Sequence, residues 1–492
     1  MMLRATLLCS LALSTAPAWA QGNVPFDKEH IADKAKLEEA LTAMKAAEKF
    51  AQAGGKDYGQ AIALYEKAYA VNPDNADLNV RLGLCHLNGQ QRHLAMPYFQ
   101  KAVTLDPQVP RAHYLAGMAL QLNAKWDEAI WEFEAHKRSS MGLPDENPVY
   151  NQAEKHLSEC RNGKSLMANP TSAQVTNLGP RVNSVYSDYG AVVAHDGQTM
   201  WFTSRRENST GGKVNKSTNQ YFEDVYTSTL NDGAWSAPQP LPPPVNTEMN
   251  DASVGMDHEG DRMIIYRDVK VTGDLLESKR AGSNWGTPEP FGTAINTKFH
   301  ESSACYSQDG KWLYFVSDRE GGLGGQDIYR SAWDANAKAW KEAENLGPDV
   351  NSRFDEDGIF VQGDGATIYF SSKGHTSMGG YDVFRSDWKD GRWSKPENLG
   401  WPINSPDDDL FMVLVGDGSK GYFSSFRPGG EGEDDLYEVV FRSLEQSTVH
   451  RCSCIIVRDS AHSLRLGEIA SDPRRLRILA MTSPRHREPG FR

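Results

Sequence analysis

One pattern of spacing recurs five times in this chain and limits what it can fold into. The segments VNSVYSD, VNTEMND, INTKFHE, VNSRFDE and INSPDDD place Asn183, Asn246, Asn296, Asn351 and Asn404 five residues ahead of Asp188, Asp251, Glu301, Glu356 and Asp409. Fourteen residues after each asparagine stands a glycine (Gly197, Gly260, Gly310, Gly365 or Gly418), preceded by Asp in four copies and by Glu259 in the other. A run of β-type alternation follows each of these turns: TMWFTS, RMIIYRD, KWLYFVS, TIYFSS and KGYFSS. A second run, DVYTS, DIYRS, DVFRS or DLYEV, starts at Asp224, Asp327, Asp382 and Asp435, whereas the second copy reads DLLES from Asp274. Trp235, Trp285, Trp340 and Trp393 each lie eleven residues before the next motif asparagine.

Each copy therefore predicts about four short strands joined by acidic-Gly hairpin turns, in a unit of roughly 50 residues, which is the mark of a β-propeller blade. The fifth copy ends at DLYEVVF with no tryptophan strand after it. The segment leading in, AQVTNLGPRVNS, carries Asn177-Leu178-Gly179, which matches Asn345-Leu346-Gly347 and Asn398-Leu399-Gly400, each six residues before the motif asparagine. The incoming segment is thus expected to supply the missing strand and remove a free edge. Five blades are expected, with six as the alternative. The stretch YSQDGKWLYFVSDR followed by DIYRS is similar to the WD40-like propeller repeats of the TolB and OmpA-associated families, and the resemblance covers Thr171 to Phe441.

Ahead of the propeller, from about Ile31 to Cys160, the chain is rich in Ala, Leu, Glu and Lys at helical periodicity. It repeats every 34 residues: Ala61, Ala95 and Ala129; Gly83 and Gly117; Pro73 and Pro107. Tyr65, Phe99 and Phe133 fall four residues after the alanines, one turn along the same helix face. DYGQAIALYEKAYAVNPDN, RLGLCHLNGQQRHLAMPYFQKAVTLDP and LAGMALQLNAKWDEAIWEFEAHK resemble a tetratricopeptide repeat array. Small Gly and Ala let paired helices approach, the aromatic fills the gap, and Pro closes the second helix. The first repeat carries AGGK in place of the usual glycine, and the third lacks the proline, which predicts a capping helix near Asn151 to Cys160. The expected fold class is multidomain α plus all-β, with a helical solenoid over 27–165 and a propeller over 171–442.

The first twenty residues, MMLRATLLCSLALSTAPAWA, read as a secretory signal peptide cleaved before Gln21. Lipidation at Cys9 is the alternative, but too little apolar sequence precedes it. No later apolar run is long enough to cross a bilayer, so no transmembrane segment is expected and the mature chain should be exported. The formal net charge of -13 argues against nucleic acid as a main partner. Cys85, Cys160, Cys305, Cys452 and Cys454 show neither zinc spacing nor a disulfide framework.

Two readings of possible chemistry remain open at this level. Asp188, Asp251, Glu301, Glu356 and Asp409 could face one end of a central channel as a catalytic or calcium site. Alternatively each accepts hydrogen bonds from backbone N–H groups of its own blade, which repetition favours. Asp407-Asp408-Asp409 and the run Glu431 to Asp435 are the calcium candidates, and solvated charge runs are the plainer account of both. Arg205, Arg206, Arg319 and Arg427 follow the inner strands and could mimic a sialidase-like cluster, yet they too recur from blade to blade. The loop GGLGGQD has counterparts in SMGGYD and GGEGEDD and leads into a strand, whereas a phosphate cradle leads into a helix. No HExxH, GxSxG or Walker motif occurs. No catalytic, cofactor-binding or metal residue is assigned, and the chain is expected not to be an enzyme.

A signal segment, helical repeats and this propeller together resemble outer-membrane-associated, OmpA-family proteins of the Bacteroidetes type. That resemblance implies periplasmic residence, envelope or outer-membrane protein partners, and a role in envelope assembly or secretion. Peptidoglycan association would come from an OmpA-like domain, which the sequence after Phe441 does not resemble. From Ser443 onward there are nine arginines, five acidic residues and no lysine, formally +4 (nine minus five), which reads as a disordered basic tail or an altered reading frame. The expected function is a docking scaffold; the alternative is a glycan- or calcium-dependent binding or hydrolytic propeller.

Overall fold

The computed structural model describes residues 22–109, 111–139, 153–269, 272–363 and 365–442. The expected signal segment, the tail from Ser443, Cys452 and Cys454 lie outside them. Seven α-helices come first: α1 Lys34–Ala53, α2 Tyr58–Val71, α3 Ala76–Leu87, α4 Met96–Leu105, α5 Ala112–Leu122, α6 Trp126–Ser139 and α7 Ala153–Ala168. The side chain of Asp33 caps α1 by accepting from the amides of Ala35 and Lys36, and Asn75 caps α3 through the Leu78 amide. Helix α7, expected to end near Cys160, runs on to Ala168.

The 34-residue period is the packing period of these helices. Ala61, Ala95, Ala129, Phe99 and Phe133 are fully buried, and Tyr65 is nearly so. A Cβ on Gly83 would stand 2.5 Å from the Phe99 ring, and one on Gly117 2.8 Å from the Phe133 ring. The glycine on the first helix of each pair is therefore the hole that receives the aromatic of the second. Cys85 and Cys160 are buried and free in this helical core, as is Cys305 in the propeller.

Among the described residues after α7, five antiparallel sheets of four or five strands form a ring, with a small two-stranded hairpin, Val214–Asn215 with Gln220–Tyr221, on the first blade. Their first strands are Asp188–Val193, Asp251–Met256, Glu301–Tyr306, Glu356–Val361 and Asp409–Val415. Each contacts the first strand of the next sheet, and Asp188–Val193 contacts Asp409–Val415. The circle closes with five blades, which removes the six-bladed alternative. Closure is made as the motif pattern predicted. Gln174–Asn177 pairs antiparallel with Asp435–Val440, in the register Gln174↔Val440 to Asn177↔Tyr437. Asn177 donates to Asp435 at 2.8 Å, as Asn345 does to Asp327 at 2.8 Å and Asn398 to Asp382 at 2.6 Å. The three Asn-Leu-Gly segments are thus equivalent in three dimensions.

The motif asparagines join neighbouring blades. Asn351 accepts from the Ile328 amide at 2.8 Å and donates to the Ile328 carbonyl at 2.9 Å, acting as one rung of an extra strand. Asn246 does this with Val225, Asn296 with Leu275, Asn404 with Val383, and Asn183 with Leu436 across the closure. Apolar side chains fill the spaces between blades; in one cluster Tyr369 and Val383 of the fourth blade meet Phe423 and Tyr437 of the fifth. In the second blade Arg267 takes the register position that serine holds in the others, opposite Asp274, and the hairpin closes tightly at Val269↔Thr272. This is why DLLES lacks a preceding glycine-rich loop.

Candidate functional site

The five carboxylates that open the inner strands are fully buried, and their oxygens are already bonded within the protein. Asp188 accepts from the Ser184 amide at 2.6 Å and hydroxyl at 2.7 Å, and Asp251 from the Thr247 amide and hydroxyl at the same distances. Glu301 accepts from Thr297, Glu356 from Ser352 and Asp409 from the Ser405 amide. Four of them also meet an arginine: Asp188 with Arg206 at 2.9 Å, Glu301 with Arg319 at 3.2 Å, Asp251 with Arg267 and Asp409 with Arg427. Each arginine also donates to a carbonyl before its own blade, Val182, Val245, Ile295 or Ile403. The arrangement holds each blade's lead-in and does not converge on the channel.

Glu356 departs from this rule. Gly374 stands where the arginine would be, and a Cβ there would lie 2.2 Å from the Ser352 hydroxyl. His375 takes over the carbonyl contact, with Nε2 2.8 Å from the Val350 oxygen, but among the described residues no guanidinium pairs with the glutamate. Burial pushes the Glu356 carboxyl up to about 7, against the pull of the hydrogen bonds from Ser352 and Ser372. Sequence reading grouped Glu356 with the other four, and the Gly374-His375 pair was the signal that it differs. It also missed Arg267. Arg205, grouped with the other arginines, instead pairs with Glu223, which also accepts from the Tyr189 hydroxyl.

The glycine-rich loops fold onto their own aspartates. Asp327 accepts from the amides of Leu323 at 2.6 Å and Gly324 at 3.0 Å, and Asp435 from Glu431 and Gly432. Of the GGLGGQD amides, those of Leu323 and Gly324 are engaged in this turn and that of Gln326 donates to Asp355 at 3.3 Å. Among the described residues no group of three or more His, Cys, Asp or Glu side chains is placed to hold a metal ion.

The calcium candidates lie in the seam between helices and ring. Arg92, in the turn between α3 and α4, reaches Asp407 at 2.7 Å and Asp408 at 3.3 Å and stacks 4.1 Å from the Phe426 ring. Burial pushes Asp407 up to about 7, and the Arg92 charge opposes it. Neighbouring turns add Gln90 to the Val185 carbonyl at 2.6 Å and Asn219 to the Gly54 carbonyl at 2.8 Å. On α7, Asn162 donates to the Ser377 carbonyl at 3.0 Å, and Met378 is buried in the helical core beside Leu157 and Cys160. Glu159, also on α7, holds Lys155 and accepts from Gln121 at 3.0 Å. Burial disfavours its charge, yet bonds from His156 and Lys155 outweigh that and hold it at about 2. The described residues form one compact unit.

Two concave regions border the ring. A cleft of about 650 Å³ opens between α2, the α3–α4 turn and the rim of the first and fifth blades. At the far mouth of the channel a smaller pocket, about 230 Å³, is edged by His195 and His258, whose rings stand 4.2 Å apart.

Part of the helical segment is similar to a known family. The model of the anaphase-promoting complex, cyclosome, subunit 3 family matches residues 55–136. Over 77 residues the chain is 35% identical to tetratricopeptide repeat protein 28 of Mus musculus, covering 16% of this chain and only 3% of that protein. Among solved structures, TolB from Acinetobacter baumannii shows 16% identity and a TM-score of 0.31, covering 52% of this chain and 54% of that one. A gluconolactonase from Xanthomonas campestris shows 12% identity and a TM-score of 0.30, covering 57% of this chain and 93% of that one. The propeller assignment rests on the strand pairing itself. Among the described residues no helix is long and apolar enough to cross a membrane.

Proposed function

We propose that the chain is a non-enzymatic interaction scaffold in which a short tetratricopeptide-type array and a five-bladed propeller act as one docking body. The observation that carries this reading is the seam: half-buried charge pairs and an inserted methionine commit the helices to the ring, leaving the outer faces of both for partners. The inner carboxylates, the groups best suited to chemistry, are engaged in holding the blades. The leading segment supports export to the periplasm, where envelope or outer-membrane proteins engaged in envelope assembly or secretion would be the partners. Peptidoglycan association rests on the family resemblance alone.

The test is affinity capture with the mature chain from envelope extracts, run beside a glycan array. Stoichiometric envelope proteins that co-purify reciprocally support the scaffold. Sugar binding with no protein partner, or hydrolysis abolished by Glu356→Gln in a folded protein, would favour the glycan-binding or hydrolytic alternative.

A further inference from the structure

We propose that the far mouth of the propeller channel binds one borderline transition-metal ion, of the class of copper(II), nickel(II) or zinc, between His195 of the first blade and His258 of the second. This goes beyond the scaffold reading and does not rest on it. Both histidines hold the same place in their blades, twelve residues after the motif asparagine, and Gln308 holds it in the third. Each follows the first residue of a turn closed by a backbone bond: Gly197 to Ala194 at 2.8 Å, Gly260 to Asp257 at 3.1 Å and Gly310 to Ser307 at 2.9 Å. The three side chains thus hang from fixed hairpins of consecutive blades, and all three edge the same pocket.

The imidazole rings stand 4.2 Å apart at a tilt of 59°, which is not the parallel arrangement of a plain ring stack. A metal-bound imidazole nitrogen lies about 2.0–2.1 Å from the ion, with its ring centre about 3.2 Å away, so two rings at a right angle on one ion stand about 4.5 Å apart. The observed separation is close to that of such a pair. The Nε2 of His258 stands 3.3 Å from the Nε2 of Gln308. An amide nitrogen only donates, so the ring nitrogen accepts, and its lone pair faces the mouth. The Oε1 of Gln308 points the other way, 3.3 Å from where a Cβ on Gly363 would stand. Half a turn of that amide would offer the ion an oxygen from the third blade.

Nothing nearby competes for the rings. Among the described residues neither histidine pairs with a carboxylate, and the adjacent Asp257 is held by Arg262 at 2.9 Å and by the amides of Asp261 and Arg262. His195 is exposed and His258 half-buried, so an ion from solvent reaches both. Two imidazole nitrogens and an amide oxygen suit a borderline metal, whereas calcium and magnesium take sets of carboxylate and carbonyl oxygens. Coordination positions that the protein leaves open fall to water.

The experiment titrates the untagged, chelator-treated mature chain with copper(II) chloride or zinc chloride by isothermal calorimetry and records the electron paramagnetic resonance spectrum of the copper form. One equivalent should bind with micromolar affinity or better and show nitrogen hyperfine splitting. His195→Gln and His258→Gln should each weaken that equivalent at least tenfold. Gln308→His adds an imidazole at the same turn position of the next blade and should tighten it at least tenfold. All three positions lie in surface turns, so thermal melts in chelator should match the parent, and His30→Gln, exposed ahead of α1, should leave the titration unchanged. Binding that both histidine variants leave unaltered, binding only at millimolar metal, a copper spectrum without nitrogen splitting, or a Gln308→His variant that binds no more tightly would overturn the proposal. So would a calcium chloride titration that fills the same equivalent.

Discussion

At the level of single residues, one position among five breaks the pattern and gives the sharpest test. Glu356 is buried without a cation, so its proton is held more tightly folded, with a pKa of about 7, than in the unfolded chain, where glutamate titrates near ~4.3. Its contribution to stability is therefore complete below about pH 4.3 and fades as pH rises through about 7. Glu356→Gln should flatten that dependence and stabilise the protein by on the order of 2 kcal/mol at pH 8, with little change at pH 4. Glu301→Gln should instead destabilise the protein, because it strands Arg319. Urea unfolding of both variants across pH decides the matter; equal effects would refute it. Asn351→Ala leaves the Ile328 amide buried and unpaired, although its carbonyl keeps the bond from the Leu346 amide at 3.0 Å, and should cost about 2 kcal/mol in the same measurement. The spacing of these asparagines and acids was readable in the sequence because repetition exposes it. Their partners were not, since Arg267 lies two positions off the arginine register and Gly374 is silent without its neighbours.

Among elements, helix pairs and blades follow from periodicity, and the agreement is close because each contact lies within one repeat or between adjacent ones. Gly83 shows how far propensity alone misleads. Alanine there gains up to about 1 kcal/mol in helix propensity. Its Cβ would meet the fully buried Phe99 ring at 2.5 Å, an overpacking that costs about 1–3 kcal/mol. Gly83→Ala should thus lower the melting temperature, and a gain would show that the aromatic can retreat. The second blade's tight hairpin was visible only as a missing loop. Which strand would complete the fifth blade was readable from Asn177-Leu178-Gly179, since a strand without a partner must find one.

For the molecule as a whole, the seam was beyond reach of the sequence, because Arg92 and Asp407 are 315 residues apart and belong to two different repeats, neither of which fixes the position of the other. Arg92→Met removes the cation between Asp407 and Asp408 and should cost about 2 kcal/mol, less than a fully enclosed pair because 32% of the arginine side chain remains exposed. Hydrogen exchange should then rise in the α3–α4 turn and the fifth blade together; an increase confined to the turn would mean the two halves are held elsewhere. The closing strand has a mechanical corollary. Gln174 and Val440 face each other at the same end of an antiparallel pair, so the polypeptide arrives at and departs from the ring at a single point. Tension between those two ends would unzip that pair one rung at a time instead of shearing all its bonds at once, making the latch of the ring the place where pulling first opens it.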